Sequence, residues 1–360
     1  MLDFPLMLLF DETDYLMLPR TSSNLKILGL LLLLSVLANV AIASPLNVQR
    51  TTVATLTGDS SLRSTQGRDI SVIQIRKSAN ISGSEASPFR ILIQGGLHGN
   101  EALASEFVLW LATRSAAGTG PMAEILNSSE IDFVPWVNPD GTAATSRTNS
   151  RGVNLNRNFS TLWGLTREDP GPSSFSEAET RAIRALFKKR RYHAAIDVHG
   201  FVNWIVAPSS LTAMSDAAQD NMQSVAMTGA SHGAWMRSIK STMARHLPNH
   251  EVQSGAKLGN GGAFEDWAFW EMGAFSLCLE LASNRRYEDS AAPVIAPPLA
   301  RTLKPLNQAP DTFLRYETFV AAALNQAAGL RRDMRSFSIE IPTVQINQPA
   351  ETLVPAAQGH

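Results

Sequence analysis

An α/β fold, with a mixed, mostly parallel central sheet and helices on both faces, is what this sequence predicts, and three observations predict it. Short apolar runs alternate along the chain with longer segments of helical periodicity, the pattern of strands joined by crossover helices. Several of those runs are nearly continuous in apolar residues, as strands covered on both faces are. Histidines and glutamates fall where the runs end, and in open α/β sheets ligands bind beyond the carboxyl ends of the strands. A chain of 360 residues, 44% of them hydrophobic, is long enough to bury one large core.

Taken from the N-terminus, residues 27–43 (ILGLLLLLSVLANVAIA) carry no charge, follow Lys26 and end in the small-x-small pattern Ala41-Ile42-Ala43. A signal peptide with its cleavage site reads this way, and the run is at the short limit for a spanning helix. Residues 1–43 are therefore expected to be a signal peptide, and the protein to be exported, periplasmic or secreted. Contact with a membrane is expected only if the segment stays uncleaved. Residues 1–16 hold four acids and no base, contrary to a signal n-region, so Met17 reads as the better start.

Strands are expected over 70–76, 89–94, 131–137, 193–198 and 275–281. Helices are expected from Glu101 to about 116, from Ser176 to about 191, around 229–246, over 311–329, and briefly in FEDWAFWEM from Phe264. Ser176 and Glu179 form a capping-box pattern at the start of the second helix. Segments 78–88 and 167–176 read as loops, and beyond about Arg332 the composition turns to a loose Pro- and Gln-containing tail. The catalytic domain is thus expected over 44–331 and the tail over 332–360.

Lys+Arg 31 against Asp+Glu 32 gives a formal net charge of -1, which argues against a nucleic-acid or other polyanionic partner. The single cysteine, Cys278, excludes an intrachain disulfide, and within FSLCLEL it is expected to be a small buried hydrophobe.

The chemistry begins in ILIQGGLHGNE, where an apolar strand ends in two glycines and then offers His98 and Glu101 three residues apart. Zinc in hydrolytic sites takes three protein ligands from histidines and carboxylates and keeps one position open. His199, at the end of AAIDVHG with Gly200 leaving room beside it, is the best third ligand. His193 begins the same strand at its far end, His232, His246 and His250 lie in or near a polar helical region, and His360 is in the tail. Either fragment alone is usually structural, so the remaining motifs decide. Asp197 turns to the same side as His199 one step deeper, where it either orients the imidazole or is an ordinary satisfied strand residue. In SRTNSRGVNLNRNF, a turn would let Asn156 and Arg157 face one anion, and a guanidinium binds a carboxylate through paired hydrogen bonds.

GGLHGNE, NPDG, RTNSRGVNLNRNF, GPSSFSEAET, DVHG and LCLEL occur in the order and rough spacing of one family. Over roughly residues 60–285 the chain resembles the zinc carboxypeptidases of the pancreatic carboxypeptidase A type, including their bacterial members. The resemblance implies that His98, Glu101 and His199 hold one zinc ion, and that Arg147 polarises the scissile carbonyl and stabilises the oxyanion. It implies that Asn156 and Arg157 hold the terminal carboxylate of a peptide substrate. Glu280 would be the general base that takes a proton from the attacking water and passes it to the leaving amine. Three positions depart from the family pattern: Asn100 stands where the pancreatic enzymes have Arg, Gly200 follows the third ligand, and no tyrosine occurs between Tyr192 and Tyr287 to match the family's mobile one. Glu265 and Asp266 either place a carboxylate in the side-chain pocket or simply begin a helix, whose positive end suits acids. Murein-peptide amidases and amidohydrolases of the aspartoacylase and succinylglutamate-desuccinylase type share parts of the pattern. A catalytically dead carboxylate-binding module is the remaining alternative, against which the full set His98, Glu101, His199 and Glu280 argues.

Overall fold

The computed structural model describes residues 46–77, 88–200, 202–210, 229–254, 259–281 and 311–336. The expected signal peptide, most of the loop at 78–88, the position of the missing tyrosine near 257–258 and the last part of the tail lie outside the described residues. In chain order the described elements are β1 (Leu46–Thr52), α1 (Val53–Thr57), β2 (Ser71–Lys77), β3 (Phe89–Gly95), α2 (Ala102–Ala116), α3 (Pro121–Ile125), β4 (Ser129–Val134) and α4 (Pro139–Ala144). They continue with α5 (Ala178–Arg190), β5 (Ala194–Gly200), β6 (Trp204–Ala207), α6 (Gly229–His246), β7 (Glu251–Ser254), α7 (Phe264–Trp270), β8 (Phe275–Leu281) and α8 (Asp311–Ser336).

The strands form one sheet in the order β1-β2-β4-β3-β5-β8-β6-β7. Its centre, β4-β3-β5-β8, is parallel. β1 and β2 pair antiparallel to each other and β2 to β4, while β6 runs antiparallel to β8 and parallel to β7. The mixed, mostly parallel sheet is the one expected. All five expected strands are present, and β1, β6 and β7 were not anticipated. β1 is exposed along most of its length and the other two span four residues each, so none carries the apolar run that marks a buried strand.

Side chains alternate across the pleat. Ile91, Ile93, Ile196 and Val198 pack on one face with Phe107, Trp235 and Phe319 from α2, α6 and α8. Leu92 and Ala195 face the other way, against Ile183 and Phe187 of α5 and Trp267 of α7. Cys278 is buried within β8 as a free thiol, as expected. No described helix is long and apolar enough to cross a membrane.

Two expectations are corrected. The second helix begins at Ala178 with Glu177 as N-cap and no side-chain cap, so the Ser176–Glu179 capping box does not form. Both side chains are spent elsewhere: Ser176 Oγ lies 2.9 Å from Asn158 Nδ2, and Glu179 accepts from the Thr65 backbone at 2.8 Å. The C-terminal helix runs past residue 329 to Ser336, beyond the point at which the tail was expected to begin.

The sheet positions the site through its connections. β4 lies on one side of β3 and β5 on the other, which creates the crevice at a strand-order reversal where such folds bind ligands. After β3 the chain must turn at once into α2. Gly96 takes φ +69°, and a Cβ on Gly99 would lie 2.0 Å from the Gly141 carbonyl carbon. The NPDG motif is the other half of that contact. Asn138 caps α4 by accepting from Gly141 N (2.8 Å), donates to Leu97 O (3.2 Å), and through its own N–H bonds Gly96 O (2.9 Å). Gly99→Ala is therefore expected to destabilise the fold by about 3 kcal/mol or more, by forcing two backbones apart. Urea denaturation followed by circular dichroism measures it, and a loss under about 0.5 kcal/mol contradicts the close approach.

Candidate functional site

His98 and Glu101 sit in the turn from β3 to α2, His199 near the end of β5, and Glu280 opposite His199 in the β5–β8 register. His98, Glu101 and His199 are buried, and their donor atoms all lie within 4.8 Å of one another. His98 Nδ1 is 2.8 Å from Glu101 Oε1 and 3.1 Å from His199 Nδ1, and His199 Nδ1 is 2.9 Å from Glu101 Oε2. The Gly200 N–H donates to the same Oε2 at 3.1 Å.

The outer nitrogens of both rings face acceptors. His199 Nε2 lies 2.8 Å from Asp197 Oδ2, which fixes a proton on that nitrogen and turns Nδ1 toward Glu101, so that a metal ion would replace the proton Nδ1 holds in the free protein. His98 Nε2 lies 3.0 Å from Asn154 Oδ1, whose Nδ2 donates to Glu168 at 2.6 Å and so fixes which way the amide points. Two imidazole nitrogens facing each other across 3.1 Å, with a carboxylate beside them, need a positive charge between them, either a proton or a metal ion. Burial opposes a charged His199, but Asp197 and Glu101 outweigh it and push its pKa well above the ordinary value. Burial also works against an ionised Glu101, and the two histidines overcome it to hold that carboxyl well below the usual range. The donor set, two imidazoles and one carboxylate with orienting acceptors behind the rings, fits zinc. Within the protein a Cβ at Gly200 would meet only Glu101 Cβ, at an ordinary 3.9 Å, so packing alone does not require glycine there.

Glu280 differs from the other acids. Its Oε2 is buried with no hydrogen-bond partner, and burial, reinforced by Glu101 and Asp197 against the opposing His199, pushes its pKa up to about 7. Arg147 reaches the donor set from a partly exposed position, with Nη1 3.1 Å from His98 Nδ1 and 3.3 Å from Glu101 Oε1. Arg157 is buried beside it, donating to Asn156 O (2.6 Å), Glu168 Oε1 (2.8 Å) and Asn260 Oδ1 (2.7 Å). Asn156 and Arg157 lie in a short 3-10 turn, Leu155–Arg157, as the reading of a turn required. The Asn156 amide, however, is turned toward the protein. Its Oδ1 accepts from Phe264 N (2.8 Å) and its Nδ2 makes only a 3.4 Å contact with the already donating His199 Nε2, so its donors remain largely unspent.

Among the acids expected near a side-chain pocket, Asp266 accepts from Ser209 N and Oγ, whereas Glu265 Oε2 is buried without a partner. Burial and the neighbouring Asp266 push the Glu265 carboxyl well above the usual carboxylate range. Both begin α7, where the helix reading placed them. The other described histidines lie elsewhere: His193 Nδ1 accepts from Arg90 N, His232 reaches Pro208 O, His250 faces Tyr316, and His246 ends α6. Sequence reasoning missed Asn154 and Glu168. Asn154 stands two residues before Asn156 in the same turn and was legible as a candidate. Glu168 lies in a loop with no motif of its own.

Fold and donor set together define a metal-dependent hydrolase architecture. The sequence model of the zinc carboxypeptidase family matches residues 50–305, and the chain belongs to that family. It is 21% identical over 263 residues to an inactive metallocarboxypeptidase of Sclerotinia sclerotiorum, covering 62% of this chain and 44% of that protein. It is 26% identical over 201 residues to carboxypeptidase SOL1 of Arabidopsis thaliana, covering 53% of this chain and 39% of the relative. The chain thus spans less than half the length of these curated relatives. The fold is similar to that of carboxypeptidase A from Helicoverpa armigera, with a TM-score of 0.54 and 20% identity, covering 86% of this chain and 74% of the other.

Removing the acceptor behind His199 tests the orienting role of Asp197. Asp197→Asn is expected to weaken zinc binding about 10- to 100-fold in a chelator competition, with the fold retained. Replacing Glu280 has an opposite consequence for stability. A carboxyl raised from 4.5 to about 7 costs the folded state nothing below its unfolded value, and costs progressively more as pH rises from 4.5 to about 7, where the loss levels off. Glu280→Gln is expected to gain melting temperature over the wild type at pH 8 and to lose that advantage near pH 5, read by calorimetry of the metal-free proteins.

Proposed function

We propose that the protein is an exported zinc metallocarboxypeptidase that binds one metal ion and removes a C-terminal residue from peptides. The observation that carries the reading is the convergence of His98 Nδ1, His199 Nδ1 and the Glu101 carboxylate beside Glu280, whose Oε2 is unpartnered. His98, Glu101 and His199 hold the ion. Bound there, zinc supplies Lewis acidity, lowering the pKa of a water and polarising a carbonyl oxygen.

The chain's own groups do the rest. Glu280, ionised above about pH 7, takes a proton from the attacking water as oxygen adds to the scissile carbonyl carbon. It then gives that proton to the amide nitrogen as the carbon–nitrogen bond breaks, leaving a shortened peptide carboxylate and a free amino acid. Arg147 places a guanidinium where negative charge develops on the carbonyl oxygen. Arg157, buried and fixed by Asn260 and the Asn156 carbonyl, receives the terminal carboxylate, and the Asn156 amide, which faces Phe264 N in the free protein, joins it by rotating outward. Export rests on the uncharged run at 27–43.

The zinc-loaded protein is expected to generate single-residue C-terminal ladders from a mixed peptide library, followed by mass spectrometry. Cleavage confined to the diaminopimelate bond of a muropeptide, or of an N-acyl amino acid alone, overturns the carboxypeptidase reading. Glu280→Gln is expected to lower kcat about 10²- to 10⁴-fold with zinc content unchanged. In the wild type kcat/KM is expected to fall as pH drops below the Glu280 pKa, and undiminished turnover in the Gln variant sinks the mechanism.

A further inference from the structure

Glu168 stands in the mouth of the site, and the groups that hold it are the two arginines assigned to substrate. Its Oε2 accepts from Arg147 Nε at 3.0 Å and from Asn154 Nδ2 at 2.6 Å. Its Oε1 accepts from Arg147 Nη2 at 3.3 Å and Arg157 Nη2 at 2.8 Å. One carboxylate therefore takes a forked pair of hydrogen bonds from Arg147 and a third charged one from Arg157, the pattern in which guanidinium groups bind carboxylates.

We propose that Glu168 is a specificity-determining residue of the anion subsite: its carboxylate occupies the Arg147–Arg157 clamp in the free protein, and a substrate's terminal carboxylate enters by displacing it. The inference rests on the reading that Arg157 receives the terminal carboxylate while Arg147 stands beside it at the carbonyl oxygen, and it adds what that reading lacks, a competitor supplied by the chain.

Displacement is a side-chain event. The loop carrying Glu168 is pinned on both sides: Asn154 N donates to Asp169 O at 3.0 Å, Asn158 Nδ2 to Pro170 O at 2.7 Å, and Thr166 forms a β-bridge with Asn260. Moving the backbone breaks these bonds, but the Glu168 side chain is 37% exposed and rotates into water without disturbing them. The arginines hold its carboxyl down at about 2 against partial burial, so it competes as a full anion at any pH at which the protein would work. An entering carboxylate exchanges one anion for another and gains only the difference. A neutral C-terminal amide makes no such exchange. The clamp therefore discriminates less sharply in favour of terminal carboxylates than two free arginines do, and Glu168 sets by how much.

The competing role, aligning the arginines for substrate, predicts the opposite sign. Zinc-loaded wild-type protein, Glu168→Gln and Glu168→Ala are titrated calorimetrically with N-benzoylglycine and with N-benzoylglycinamide, after a thermal melt of each. Both variants are expected to bind the carboxylate about tenfold more tightly than the wild type and the amide with unchanged affinity. Weaker carboxylate binding, an equal shift for both ligands, or no carboxylate binding to either variant overturns the proposal. Binding needs no turnover: a protein that shows the predicted shift but cleaves no peptide refutes the peptidase reading and leaves this one standing.

Discussion

Two imidazole nitrogens held 3.1 Å apart inside the protein, converging beside a carboxylate, are the constraint that the rest of the structure serves. Left alone such atoms would repel, turn over or open to water. Each ring is kept in place from behind, by Asp197 for His199 and by Asn154 for His98, and the fixed protons on the outer nitrogens turn the inner ones toward Glu101. The backbone complies at several residues' distance. Gly96 takes a left-handed turn, Gly99 lies against Gly141, and Asn138 ties the turn to the start of α4. The GPSSFSEAET stretch acts further out. Asn158 gathers Pro170, Ser173 and Ser176 with its Nδ2 and accepts from Glu177 N and Thr180 Oγ1, which pins the loop beside the clamp.

The acids around this centre divide by what partners they have. Glu101 lies between two histidines and Glu168 between two arginines, and both are held as anions. Glu280 and Glu265 are buried without a partner for Oε2, and both are pushed well above the usual carboxylate range. Carboxyls with permanent counter-charges bind and position, whereas an unpartnered one is free to gain and lose a proton. Environments that drive neighbouring pKa values apart are how one site assigns acid, base and ligand among chemically identical groups. Glu280 is the member of that second pair that lies beside His199, which suits it to the proton-transfer role.

Much of this was legible in the sequence because the signals were local. The strands of the sheet centre announced themselves as apolar runs; His98, Glu101, His199 and Glu280 stood out at strand ends, and the family resemblance of the motifs around them gave them their roles. β1, β6 and β7 escaped because short or exposed strands carry no such run. The Ser176–Glu179 pattern misled because the local capping bonds lost to longer-range partners, Asn158 and Thr65. Glu168 could not be found at all. Its importance lies in meeting Arg147 and Arg157 across a loop, and no spacing rule connects those positions. Nor does sequence show that the Asn156 amide turns inward, since the hydrogen bond to Phe264 N joins residues 108 positions apart.

Family membership does not by itself decide activity, since one of the relatives is named as inactive. What bears on it is whether each chemical duty has a group to perform it. A phenol is the one the described residues do not supply. Tyr192 donates its hydroxyl to Asp132 at 2.6 Å, and Tyr316 faces His250 under α8, so neither reaches the site. In the proposed mechanism proton transfer to the leaving amine is assigned to Glu280 and stabilisation of the oxyanion to Arg147. Arg147 is also one arm of the clamp that Glu168 occupies, with Nη1 toward the metal donors and Nε and Nη2 toward the acid. A single guanidinium thus joins the anion subsite to the reacting centre. Exchange of Glu168 for a substrate carboxylate therefore changes the partners of the same side chain that meets the carbonyl oxygen. With the proposed roles, occupation of the subsite and readiness of the oxyanion group are coupled through Arg147.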